Sequence, residues 1–210
     1  MKPGAFMRDQ SWSIFAAPAT AATHAVGRTQ RERRNAQRGR VIWFTGLSGA
    51  GKSSIAGALE GALHAMGRHT YFLDGDEVRR GLNRDLCFTD ADRVENIRRM
   101  AEVARLMMDA GLIVMVACIS PFHRNREMAR ALIGPDDFFE VYVSTPLSIC
   151  EQRDVKGLYR KARTGELVDM TGIGSPYEVP NQPDMILNGG EGSVGEAVAA
   201  LIERLEIQRS

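Results

Sequence analysis

Apolar and polar positions along the chain fall into two alternating kinds of block. Short runs rich in β-branched and aromatic residues recur at Arg40–Thr45, Thr70–Leu73, Leu112–Ile119, Phe138–Ser144 and Met185–Leu187. Each reads as a strand. Leu112–Ile119 is almost continuously apolar, as expected of a central parallel strand buried on both faces. Between these runs lie helical patterns: Lys52–Met66, a short segment Glu77–Leu82 capped by Asp76, about Ala91–Ala110, Phe122–Leu132, a helix beginning at Pro146, and Val194–Ile207. Thr89–Asp92 is a capping-box variant ahead of the longest of them, and Gly111 closes it. Strands alternating with helices predict an α/β domain built on a parallel sheet with crossover connections. Residues 153–183 are charged and Gly-rich with only short helical pieces, so they are expected to form a mobile lid rather than core.

The segment ahead of the first strand has a different character. Residues 1–22, rich in Ala, Ser, Pro and Thr, are expected to be a weakly ordered extension. Residues 23–39 read as a polar, arginine-laden helix or arm. It is either a solvated face or a cover for a partner subunit or an anionic ligand, and the solvated face is the simpler reading. Residues 1–40 carry eight Lys/Arg against Asp9 and Glu32, although the whole chain has a net charge of only +1. So small a balance gives no global field for nucleic acid or a membrane surface. No apolar run is long enough to span a bilayer, and the N-terminus lacks a charged-then-apolar signal pattern. Cys87, Cys118 and Cys150 form no C-x-x-C pair, which fits a reducing, cytoplasmic setting.

The chemistry concentrates where the first predicted strand meets its helix. Gly46-Leu47-Ser48-Gly49-Ala50-Gly51-Lys52-Ser53 fits G-x-x-x-x-G-K-[ST], the phosphate-cradling loop, and Ser54 continues it into the helix. Its glycines let successive N–H groups point inward, and the helix start adds positive dipole. Lys52 is placed to reach the β- and γ-phosphates of ATP, and the Ser53 hydroxyl to bind Mg²⁺. In open parallel sheets ligands bind beyond the carboxyl ends of the strands. Asp74 and Ser120 sit at two further strand ends, so Asp74 is a candidate for holding Mg²⁺ or assisting an attacking hydroxyl. Arg93 and Asn96 share a helix face at i,i+3, and with Arg79 they form a set suited to phosphate or sulfate oxygens and a base edge. Phe88 could stack on a purine or simply staple the helix start. Arg80, Arg84, Arg98 and Arg99 are expected to face solvent. Asp169–Gly172 fits D-x-x-G and Asn181–Asp184 loosely resembles a guanine-reading motif. Too few residues separate the two for a parallel crossover, so a switch GTPase is rejected.

From about Thr23 to the C-terminus, a dense set of motifs resembles the adenylylsulfate kinase (adenosine 5′-phosphosulfate kinase) family. They are Gly46–Ser53, Asp74-Gly-Asp-Glu-Val-Arg79, Asp85-Leu-Cys-Phe88, Asp92–Arg99, Ile119-Ser-Pro-Phe122, Asp154-Val-Lys-Gly-Leu-Tyr159 and Thr171–Glu178. The resemblance implies a P-loop nucleoside triphosphate hydrolase-like kinase fold over residues 40–210, with a five-stranded parallel sheet and the lid. It implies Mg²⁺-dependent transfer of the ATP γ-phosphate to the 3′-hydroxyl of adenylylsulfate, in sulfate assimilation. It assigns Lys52, Asp74 and Ser120 to catalysis. Asp76, Arg79, Phe88, Arg93, Asn96, Ile119, Ser120, Lys156, Leu158 and Met170 fall to the substrate. Met170 stands where the family usually has Phe, and Val155 where it usually has Pro, implying a less oriented adenine face and a looser lid. A homodimer, and association with an ATP sulfurylase, are further implications. The rival readings are another P-loop small-molecule kinase, or a nucleotide-binding regulatory domain with little turnover.

Overall fold

The computed structural model describes residues 25–207. The expected extension at 1–22 lies outside them. The described chain runs α1 (Arg28–Asn35), β1 (Arg40–Thr45), α2 (Lys52–Ala65), β2 (Thr70–Asp74), α3 (Gly75–Arg80), α4 (Asp90–Asp109), β3 (Ile113–Ala117), α5 (His123–Ile133), β4 (Phe138–Val143), α6 (Leu147–Arg153), α7 (Leu158–Arg163), β5 (Met185–Leu187) and α8 (Val194–Arg204). The five strands form one parallel sheet in the order β2-β3-β1-β4-β5.

Period-two alternation along β1 divides the core. Ile42 and Phe44 face one layer, with Ile55, Leu59 and Leu63 of α2 and Leu201 of α8. Val41 and Trp43 face the other, with Ile97, Met100 and Ala104 of α4 and Ala129 and Ile133 of α5. All of β3 is buried, as its unbroken apolar run demands. Register then brings the functional strand ends level: Asp74 of β2 pairs with Ala117 of β3, and Ala117 pairs with Phe44 of β1. The phosphate loop, Asp74 and the exit of β3 therefore converge on one edge.

Three local details differ from expectation. The cap of α3 is Asp74, not Asp76: its carboxylate accepts from the Asp76 N–H at 2.8 Å, so the helix begins two residues earlier. The helix of the basic arm, α1, has no buried residue, but the arm packs back onto the domain through ion pairs and amide contacts. Arg28 forks onto Asp137 at 2.5 and 2.8 Å, Arg31 pairs with Asp109 at 2.6 Å, and Gln37 donates to the carbonyls of His69 and Gly111. These contacts tie α1 across the opposite ends of the strands from the site. The 153–183 segment also contributes to the core. Tyr159 and Met170 are 3% and 6% exposed, because each places an apolar body under the phosphate loop's side of the sheet. The spurious guanine motif is structural: Asp184 accepts from the Glu140 N–H and from Arg130, both at 2.7 Å.

Candidate active site

The loop between β1 and α2 curls because glycine occupies its left-handed positions. Gly46 has φ +147° and Gly51 φ +104°. A Cβ on Gly46 would lie 2.7 Å from the Val143 carbonyl oxygen, so β4 itself forbids a side chain there. Lys52, at the start of α2, is 8% exposed, and its ammonium donates to the carbonyls of Gly46 (3.0 Å) and Leu47 (2.7 Å). Burial brings its pKa down to about 8. Ser53 donates to Asp74 Oδ2 at 2.6 Å, and Asp74 Oδ1 is held by the Asp76 amide. Two hard oxygen groups thus meet at the loop's edge. This donor set suits Mg²⁺, which is characteristically held by one or two side chains together with substrate phosphates and water.

A cavity of about 820 Å³ opens in front of this loop. Ser48 to Ser54 line one side, and Asp74, Asp76, Arg79, Phe88, Arg93 and Asn96 line the other. Ile119, Ser120, Lys156, Leu158 and Met170 complete it, so the residues proposed from sequence meet in one place. Gly46 and Leu47 do not line it. Their carbonyls hold Lys52, while the Leu47 side chain faces a second cavity of about 700 Å³ beside Tyr142 and Tyr177.

The wall opposite the phosphate loop is organised by arginine. Arg79 donates to the carbonyls of Leu86 and Cys87 and lies 4.6 Å from the centre of the Phe88 ring. Phe88 is 59% exposed, so it does not staple a helix but offers an open aromatic face. Arg93 donates to Phe88 O (2.9 Å), Thr171 Oγ1 (2.8 Å) and Asp169 O (2.6 Å), joining α4 to the 153–183 segment. Burial, and secondarily the charge of Arg93, press the Arg79 pKa down. Two guanidinium groups in a partly dry cleft favour an anion between them. Arg99 sits at the surface, where it forks onto Asp85 at 2.7 and 2.9 Å and so braces the loop that carries Phe88.

Ser120 lines the cavity at the exit of β3 but is almost wholly enclosed there. It is 1% exposed, accepts from Trp43 Nε1 (3.1 Å) and donates to Thr45 Oγ1 (2.9 Å). Thr45 donates onward to Ile119 O at 2.7 Å, so Tyr177 O–H must donate to Thr45 at 2.9 Å. The Ser120 hydroxyl thus joins Trp43 to Thr45 at the strand end, where its own φ is +38°. Lys156 pairs with Asp76 across the mouth, placing this lysine over the first turn of α3.

Sequence reasoning missed Arg153 and Tyr159. Arg153 donates to Gly49 O (3.2 Å) and Gly189 O (2.7 Å), and Tyr159 O–H donates to Ser48 O (2.8 Å), so both brace the phosphate loop from outside. Their only signal in the chain is position, within and just before the Asp154–Tyr159 motif. The carbonyls they meet are far away in sequence.

Comparison with known proteins agrees with this geometry. The sequence profile of the adenylylsulphate kinase family matches residues 38–188. The chain is 58% identical over 183 residues to an adenylyl-sulfate kinase of Aeromonas hydrophila, covering 87% of this chain and 90% of that protein. It is 58% identical over 190 residues to that of Vibrio cholerae, covering 89% and 88%. Among solved structures, the Mycobacterium tuberculosis APS kinase in complex with AMPPNP and APS matches with a TM-score of 0.78 at 50% identity, covering 81% of this chain and 99% of that one. The chain belongs to the adenylylsulfate kinase family.

Proposed function

We propose that the protein transfers the γ-phosphoryl group of ATP to the 3′-hydroxyl of adenylylsulfate, giving 3′-phosphoadenylylsulfate and ADP. The observation that carries this reading is the single cavity with a phosphate loop on one wall and an arginine–phenylalanine–asparagine set on the other. Phosphoryl transfer needs little covalent chemistry from a protein and much positioning and charge stabilisation. The loop amides and the Lys52 ammonium bind the triphosphate. Ser53 and Asp74 would hold Mg²⁺, which when bound neutralises charge on the phosphoryl oxygens. Arg79 and Arg93 hold the sulfonucleotide anion, Phe88 stacks on its adenine, and Met170 closes the opposite side. Ser120 acts by position, holding the β3 exit in place. Lys156 and the lid segment exclude water from the transfer.

A coupled assay with ATP, Mg²⁺ and adenylylsulfate tests the reading directly. ADP release with gluconate or shikimate but none with adenylylsulfate would transfer the chain to another substrate class. Nucleotide binding without turnover would make it a regulatory domain.

Arg93→Ala is expected to raise KM for adenylylsulfate roughly ten- to a hundredfold, the loss of one or two charge-assisted hydrogen bonds, with KM for ATP little changed. A wild-type KM for adenylylsulfate in this variant removes Arg93 from the substrate site.

Lys52 also predicts a proton linkage. Its pKa in the free fold is about 8, whereas a triphosphate beside it favours the ammonium form. ATP binding above pH 8 should therefore take up a proton, seen in calorimetry as a heat that changes with buffer ionisation enthalpy. The same shift acts on stability. Between about 8 and the ordinary 10.5 the unfolded chain holds more protons, so this group stabilises the free fold progressively as pH rises through that window.

A further inference from the structure

Asn83 lies in the turn after α3 and is wholly buried. Its backbone N–H donates to Val78 O at 2.9 Å, which fixes the turn. Its side-chain Nδ2 donates to Asn96 Oδ1 at 3.0 Å and reaches the Asn96 backbone carbonyl at 3.5 Å. A carbonyl oxygen only accepts, so the end of Asn83 that faces α4 is its NH₂, and the Asn96 atom facing that NH₂ is its oxygen. Asn96 itself is 5% exposed and lines the 820 Å³ cavity. With Oδ1 occupied, the group it has left is Nδ2, which makes a weak contact with Met100 Sδ at 3.7 Å. Meanwhile Asn83 Oδ1 is buried without a hydrogen-bond partner. An unmet buried acceptor disfavours the folded state, so packing alone does not account for an asparagine here.

We infer that Asn83 is a positioning residue that holds the Asn96 amide with its N–H donors toward the cavity, so that the substrate must present a hydrogen-bond acceptor there. A ring nitrogen or a sulfo oxygen satisfies this, and an amino group does not. The inference rests on the reading that places adenylylsulfate beside Asn96.

Kinetics of Asn83→Ala and Asn83→Ser, with melting temperatures, test it. KM for adenylylsulfate should rise about tenfold, one hydrogen bond's worth, while kcat and KM for ATP stay near wild type. In an Asn96→Ala background, Asn83→Ala should add nothing further to KM. Asn96→Asp keeps the bond from Asn83 but turns the cavity-facing donor into an acceptor, and should impair adenylylsulfate use more than Asn96→Ala does. This variant decides the matter if the Asn83 substitutions fail to fold. Equal effects of Asn83→Ala in both backgrounds would make Asn83 merely structural and overturn the inference, as would a wild-type KM for Asn96→Asp alongside a raised one for Asn96→Ala. A wild-type KM for Asn96→Ala would instead overturn the placement of the substrate, and the inference with it.

Discussion

Lys52→Ala is expected to lower turnover by about three orders of magnitude while leaving the fold in place. Removing one preorganised donor from a developing negative charge typically costs about a hundred- to a thousandfold, and a full ammonium belongs at the upper end. The side chain is 8% exposed and is already held by the carbonyls of Gly46 and Leu47, so it needs little reorganisation to reach a phosphate. Its loss also relieves a desolvated charge, so the melting temperature of the free protein should not fall. Lys52→Arg should restore little, because the wider guanidinium fork does not fit a niche shaped for a compact ammonium. Steady-state kinetics with ATP, Mg²⁺ and adenylylsulfate provide the check. A kcat within tenfold of wild type for Lys52→Ala would remove the lysine from the phosphate site.

Asp74 separates two roles in one side chain. Oδ1 caps α3 through the Asp76 amide, and Oδ2 takes the Ser53 proton at 2.6 Å. Asp74→Asn keeps an acceptor for the cap but removes the negative charge. It should melt near the wild-type temperature and lose about a hundredfold or more in kcat, with a raised requirement for Mg²⁺. Asp74→Ala loses the charge and the cap together, adding about 1 kcal/mol of destabilisation to the same kinetic defect. If Asp74→Asn turned over at the wild-type rate with an unchanged Mg²⁺ dependence, the carboxylate would be a helix cap and nothing more.

The misreadings have a common physical origin. The arginines Arg28, Arg31 and Arg99 looked solvated because charged residues usually are. Each stays partly exposed and also pairs with a carboxylate outside its own helix: Asp137, Asp109 and Asp85. Ser120 was legible as a strand end beside a phosphate loop, but its partners were not. Only the packed strand ends reveal that Trp43 and Thr45 already use its hydroxyl. The lid segment looked detached from the core because its charges dominate its composition. Tyr159 and Met170 are two residues in a long polar stretch, and no periodicity announces which way they turn.

The strands, the phosphate loop and the helix it opens were legible in the chain alone. Their signals are local: an apolar alternation of period two, glycines where the backbone must turn left-handed, and caps within a turn of each helix start. The set at Arg79, Phe88, Arg93 and Asn96 was legible too, because one turn of helix spacing places Arg93 and Asn96 on a common face. Tertiary structure alone decided that the strand order would set Asp74 opposite Ala117 and Ala117 opposite Phe44, bringing the two walls of the cavity together. It also decided which polar atoms are free and which are spent. A hydrogen bond between residues dozens of positions apart depends on packing, and packing is a property of the whole domain.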